Sequence, residues 1–497
     1  MSDLSHLLNV LLDLVFACGA GIACIVGWRW IARLSQPVGI VVGLGILVRA
    51  WAGLGLFVIS YYDLPMFASL HTADGFWTLA PDAEVYFELA ASAAEGATIP
   101  AGSPSPAFVR LLGWWLRATG VVPASAVLFN LTLYVASCFL LVVAFRPVKS
   151  LVAKRAALIT VGALSFSPVM ILLGTQSLKD VFSVFLIITA AVGMAALLTG
   201  RDVSRFHWIT ALQILSIAMA IYLMAGLRAY YALFIWSAAA VALIVRAIAL
   251  PRPLALRWSA LSCGVLAVFW LAFMTGAGPY YASYANLITR TVGVRIPLIA
   301  PAAEPVALSD SPEESGMGVA VSRVDFLRRG FVNTKGATNL TSSSQDAAAL
   351  QALVVGLAAM FIPISGLMQL SIVEFSGGRG FLLITDLDTL FMDLALLAVG
   401  WLLVTTGRPT RGQLPFTCFT LALGLVSAVL MAYIVTNYGT LFRLRLLATV
   451  PLWLAPLALA RMSTGVPLAG GLEVDAGWTS PHVSEGRELA VQTRGHL

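Results

Sequence analysis

Runs of about 17 to 25 apolar residues, the length that crosses a bilayer as a helix, recur along this chain and constrain its fold more than any other feature. They lie at 8–28, 38–60, 124–145, 156–174, 181–199, 208–226, 229–249, 258–275, 384–404, 415–435 and 446–461, eleven in all. A further stretch, 348–362, is short, is followed by Pro363, and reads as interfacial or re-entrant. Of the 497 residues, 59% are hydrophobic and 11% charged, whereas soluble chains carry about 25% charged residues. No water-soluble domain hides that much apolar surface, so intrinsic disorder, a coiled coil and a soluble enzyme are excluded together. The expected fold class is all-α: a polytopic integral membrane protein with about eleven transmembrane helices, each satisfying its own backbone hydrogen bonds in lipid.

Short loops give the orientation. Arg29 and Arg33, then Arg146, Lys149, Lys154 and Arg155, then Arg201 and Arg205, then Arg246, Arg252 and Arg257, then Arg408 and Arg411 fall on alternate connections. By the positive-inside rule those connections are cytoplasmic. The N-terminus is then outside, and the absence of Lys or Arg before the first span argues against a secretory signal peptide. Residues 1–462 form the expected membrane domain, with two long loops on the outer side at 61–123 and 276–383, and 463–497 a polar, disordered cytoplasmic tail. A multi-pass membrane location is expected. The net charge of +6 would favour an anionic partner in a soluble protein; here sidedness matters more, membrane lipids are the expected surroundings, and no nucleic-acid partner is indicated. The five cysteines, Cys18, Cys24, Cys138, Cys263 and Cys418, sit in apolar runs without paired spacing and read as small core residues.

Acids are more lopsided still. Of 24 Asp and Glu, the short cytoplasmic loops hold Asp202 and the tail holds Glu473, Asp475, Glu485 and Glu488, leaving nineteen on or near the outer side. Polar chemistry is therefore expected there. In the segment Pro81-Asp82-Ala83-Glu84-Val85-Tyr86, the acids suit an ordinary helix start, where they offset the positive end of the dipole. The sharper reading makes Asp82 a general base facing a lipid-anchored substrate, with Tyr86 one turn on along the same face. Without a histidine cluster there is no dedicated metal cage, although Asp82 and Glu84 can share a divalent cation.

Ser177-Leu178-Lys179-Asp180 reads as a capping box, which accounts for Ser177 and Asp180. It does not account for Lys179, a cation in a first helical turn, where free backbone N–H groups already favour an anion such as phosphate. Arg228, the cluster Arg323, Arg328 and Arg329, and the pair Arg443 and Arg445 add cations on the side that should be poor in them. Each suits lipid-headgroup anchoring, and each equally suits phosphate, which the guanidinium fork binds bidentately. Within the spans, Asp13 and Arg49 are the expected deep ionisable residues, paired across the first two helices.

Three motifs together resemble the bacterial inner-membrane glycosyltransferases of the GT-C superfamily and related polysaccharide polymerases. They are Asp82-x-x-x-Tyr86-x-x-x-Ala90 in the first large outer loop, Ser167-Pro168 through Ser177-Leu178-Lys179-Asp180, and Asn437-x-Gly439-Thr440-x-x-Arg443-x-Arg445. The chain differs in having two spans before the acidic loop and no large soluble C-terminal domain. The resemblance implies a GT-C-like fold and transfer of a sugar or glycan from an undecaprenyl phosphate or diphosphate carrier to a glycan or lipid acceptor. On that reading Asp82, with Glu84 beside it, carries catalysis. Tyr86, Lys179, Asp180, Arg228, Arg328, Asn437, Arg443 and Arg445 bind substrate. The competing class is a transporter or flippase of a lipid-linked glycan, which should place its polar or broken helices near the bilayer midplane.

Overall fold

The computed structural model describes residues 2–145 apart from 69, 73, 79, 81, 101 and 102, then 151–199, 208–278, 338–340, 349–370, 373–375, 379–406, 411–435 and 438–462. The chain is a helical, multi-pass membrane protein. Helices α1 (Ser2–Leu34) and α2 (Gln36–Tyr61) precede a small antiparallel hairpin, β1 (His71–Thr72) and β2 (Phe76–Trp77). There follow α3 (Asp82–Ala94), α4 (Pro106–Thr119), α5 (Pro123–Phe145), α6 (Leu151–Phe166), α7 (Pro168–Gly174), α8 (Lys179–Thr199), α9 (Trp208–Ala249) and α10 (Arg252–Ala277). Strand β3 (Thr338–Leu340) pairs antiparallel with β4 (Val373–Phe375). Between them lie α11 (Ala349–Phe361) and α12 (Ile364–Gln369); after them come α13 (Arg379–Thr405), α14 (Leu414–Ile434), α15 (Tyr438–Trp453) and α16 (Leu457–Met462).

Nine described helices are long and apolar enough to cross a bilayer, and ten if α6 and α7, bent by 52° at their junction, make one crossing. The eleven apolar runs differ from this at α9, where two of them fuse into one helix of 42 residues. Straight, such a helix would be about 63 Å long, roughly twice the hydrocarbon core. Its backbone leaves the helical region at Arg228 (φ −150°, ψ 81°), so this residue sits at a break inside α9 and not in a separate loop. Helix α11, with 13 residues, is about 20 Å long and too short to span. It crosses α14 so closely that a Cβ on Gly356 would strike the Ala432 backbone. Gly276 of α10 meets the backbone of Tyr222 in α9 in the same way; small residues let helices approach like this where lipid offers no hydrophobic drive.

Burial orders the bundle from outside in. The span in α1 is turned almost wholly outward, while α8 and α15 are enclosed by other helices. Large apolar side chains left exposed, among them Phe16, Leu54, Leu215, Leu271, Leu394 and Leu425, make a lipid-facing coat. Two of the five cysteines belong to that coat: Cys18 and Cys263 are exposed, contrary to the expectation of five core residues. Outside the spans, α3 and α4 pack together by helical periodicity. Ala83, Tyr86, Ala90 and Ala94 bury one face of α3; Phe108, Leu112, Leu116 and Thr119 bury one face of α4, which turns Arg110 and Arg117 outward.

Two prolines leave carbonyls that side chains then satisfy. Pro168 has no N–H, so the Leu164 carbonyl lacks its helical donor. Arg49 of α2 donates to it at 2.8 Å and to the Ser165 carbonyl at 2.6 Å. Arg49 also lies over the Tyr134 ring, 3.9 Å from its centroid. This corrects the expected Asp13–Arg49 pair: the cation is held by the carbonyl end of a broken helix, which its charge favours, and Asp13 is only half-buried. Pro451 likewise frees the Leu447 carbonyl, which accepts from the Tyr231 hydroxyl at 2.5 Å.

Candidate functional site

Helices α3, α8, α9 and α15 bring together residues that are far apart in sequence, at the end of the bundle assigned by sequence to the outer side. Asp180, in the first turn of α8, accepts from Arg228 Nη2 at 2.5 Å on Oδ1 and from Arg443 Nη2 at 3.1 Å on Oδ2. Arg443 spends its other terminal nitrogen, Nη1, on Asp82 Oδ2 at 3.0 Å. One arginine of α15 therefore bridges the first residue of α3 and the first turn of α8. The two carboxylates are not equivalent. The Asp180 side chain is 2% exposed and that of Asp82 is 55% exposed.

Lys179 completes the group. Its Nζ donates to Ser105 Oγ at 2.5 Å and stands 5.4 Å from the centroid of the Tyr86 ring. Among the described residues no carboxylate lies within ion-pair distance of it. Three cations thus face two carboxylates, and the buried Nε groups of Arg228 and Arg443 have no partner among the described residues. Buried unpaired donors and a net positive charge favour an anion, because burial costs them hydration that a counter-charge restores. Tyr86 packs edge-on against Phe108 at 5.5 Å between centroids. Burial pushes its phenol pKa up, against the neighbouring Ser105 hydroxyl, which lowers it, so the ring stays neutral at physiological pH.

Local structure fixes these positions. Ser177 Oγ donates to the Ala83 carbonyl at 2.7 Å, tying the loop before α8 to the start of α3. Asn130 of α5 donates to the carbonyls of Gly174 and Gln176 at 3.2 and 2.7 Å, holding the same loop from the other side. The expected capping box is therefore not what Ser177 and Asp180 form: the serine reaches across to α3, and the aspartate is taken by two arginines.

Other expectations fare differently. Glu84 is exposed and without a partner among the described residues. Two positions from Asp82, it lies on a different side of α3, and Asp82 gives an oxygen to Arg443. The pair does not fit a divalent ion, and among the described residues no three His, Cys, Asp or Glu gather as metal ligands. Arg328 and Asn437 lie outside the described residues, as do Arg323, Arg329 and the tail. Arg445 leaves the group altogether. Its Nη2 donates to Asp388 Oδ2 at 2.5 Å and its Nη1 to Thr389 Oγ1 at 2.6 Å, both inside α13. Asp388 also accepts from Ser167 Oγ at 3.0 Å and from the Val169 N–H at 2.8 Å, the free amide end of α7. This second network is fully enclosed, with side chains 0 to 1% exposed.

Sequence reading missed Asp388 and Ser105. An aspartate inside the apolar run 384–404 is a signal of its own; Ser105, in a Ser-Pro-Ser-Pro stretch, offers none. Compared with known protein families, with curated proteins and with solved structures, the chain matches none.

Proposed function

We propose that this protein is a membrane glycosyltransferase, GT-C-like in its arrangement, that moves a sugar or glycan from a polyprenyl phosphate or diphosphate carrier to a glycan or lipid acceptor at the periplasmic face of a bacterial inner membrane. The observation that carries the proposal is the cluster of Lys179, Arg228 and Arg443 around Asp180 and the exposed Asp82, with one positive charge in excess. A carrier phosphate is the anion that a site at the lipid boundary meets. Its negative charge grows as the sugar leaves, and cations held in a water-poor site stabilise that growth.

Arg443 links recognition to chemistry. Its bond to Asp180 is buried, while its bond to Asp82 faces solvent and is worth about 1 kcal/mol or less. An arriving phosphate displaces Asp82 from Arg443 and leaves Asp180 in place. The freed carboxylate takes the proton of the acceptor hydroxyl as that oxygen bonds to the anomeric carbon. The carbon–oxygen bond to the carrier breaks, and the phosphate keeps the electron pair against Lys179, Arg228 and Arg443.

A transporter or flippase remains the second reading, because one specific observation favours it: a broken helix, α6–α7, beside an enclosed ion pair, Asp388–Arg445. Against it, Arg49 and Asp388 already occupy the broken ends. The deciding experiment reconstitutes the purified protein in liposomes with a radiolabelled undecaprenyl-linked sugar and an acceptor lipid. Transfer of label to the acceptor is the expected result; movement of the intact carrier between leaflets without transfer supports the flippase. A periplasm-dependent reporter fused after Ala97 should be active, and activity there of a cytoplasm-only reporter contradicts the proposed face.

A further inference from the structure

Ser105 occupies the N-cap position of α4, yet it caps nothing: no backbone N–H of the helix bonds its hydroxyl. Its backbone sits in the left-handed region (φ 52°, ψ 58°), which disfavours residues with a Cβ and which glycine enters freely. The side chain is buried, and its oxygen accepts from Lys179 Nζ at 2.5 Å and lies 3.3 Å from the carbonyl of Leu227, the residue before the α9 break. The usual reasons for a serine here, a cap or an unstrained turn, are both absent. What the strained backbone achieves is the direction of one hydroxyl.

We infer that Ser105 is a positioning residue that aims Lys179 at the carrier phosphate, an inference that rests on the phosphate reading above. A lysine ammonium is a mobile point charge with three donors on a flexible stem. Fixing one donor on Ser105, with the Tyr86 ring to one side, holds Nζ in place and leaves two donors for an anion. The freedom that the side chain loses on binding is then lost beforehand, which raises affinity. Because Ser105 also reaches the Leu227 carbonyl, the same hydroxyl registers Lys179 against Arg228.

Ser105→Gly and Ser105→Ala separate hydroxyl from backbone. Both remove the donor's anchor; glycine also releases the strain, whereas alanine keeps it. The full-length protein in phosphatidylcholine nanodiscs is titrated with farnesyl phosphate and with inorganic phosphate, and its melting temperature is measured. Both Ser105 variants should bind farnesyl phosphate about tenfold more weakly, equally, although glycine melts at or above the wild-type temperature. Inorganic phosphate should bind the wild type at least tenfold more weakly than farnesyl phosphate; equal binding assigns the site to free phosphate and overturns the role toward a carrier. Wild-type binding by Ser105→Gly, or losses that follow melting temperature, overturn the positioning role. Wild-type binding by Lys179→Ala overturns the phosphate reading itself, whatever Ser105 does; its expected loss is about thirtyfold or more.

Discussion

At one end of the bundle Asp180 holds Arg228 and Arg443, and two residues further along α15 Arg445 is held by Asp388. The two networks use the same residue types on a shared helix, yet they differ in what is left over. Around Asp388 one carboxylate meets one guanidinium, Arg445, both enclosed, and the carboxylate doubles as the cap of the free amide end of α7. Around Asp180 there is a cation in excess, an exposed carboxylate and a lysine that, among the described residues, rests on a serine hydroxyl and an aromatic ring. The first arrangement is a brace across a broken helix. The second has the spare positive charge that the proposed phosphate site requires. Ionisable residues in a membrane protein are thus told apart by their surplus, not by their presence.

Breaking the brace should have the largest effect on stability. Asp388→Leu leaves Arg445 buried without its partner and strips the α7 amides, a loss of about 3 to 5 kcal/mol, read as a fall in the melting temperature of the detergent-purified protein. Combining it with Arg445→Met should recover most of that loss, since an apolar pair removes both charges. A double variant no better than the single one would mean that the brace holds something other than its own charge.

Opening the other network should affect binding more than folding. Arg443→Ala should weaken binding of a polyprenyl-phosphate donor by about 2 to 5 kcal/mol. Arg443→Lys should recover only part of this, because a single ammonium cannot span Asp82 and Asp180 as the fork does. Equal melting losses at Arg443 and Arg445, with donor binding intact, would erase the distinction between the networks. The smallest effect is expected at Glu84, exposed and facing away: Glu84→Gln should change stability by about 0.5 kcal/mol or less and leave transfer unchanged.

The membrane class was legible because apolar runs of bilayer length have no alternative fold. The site was legible in part. Asp82, Lys179, Arg228 and Arg443 stand out as charges at helix ends, which a lipid boundary makes conspicuous. Arg443 and Arg445, by contrast, look like a pair in sequence. Residues i and i+2 project about 200° apart around a helix, so one reaches Asp82 while the other enters the core. Asp180 was read as part of a local cap because the serine three residues before it satisfies the pattern; only packing reveals that α3 claims the serine and two arginines claim the acid. Arg49 was assigned a carboxylate partner, whereas the carbonyls left by Pro168 serve instead, a partner that no charge pattern displays.

The most direct test is sugar transfer by Asp82→Asn. Asparagine keeps the shape of the side chain but takes no proton, so transfer from a radiolabelled undecaprenyl-linked donor should fall on the order of 100-fold while donor binding, abundance and melting temperature stay near wild type. Transfer at the wild-type rate by the Asn variant would contradict the account and leave Asp82 as a helix-start acid.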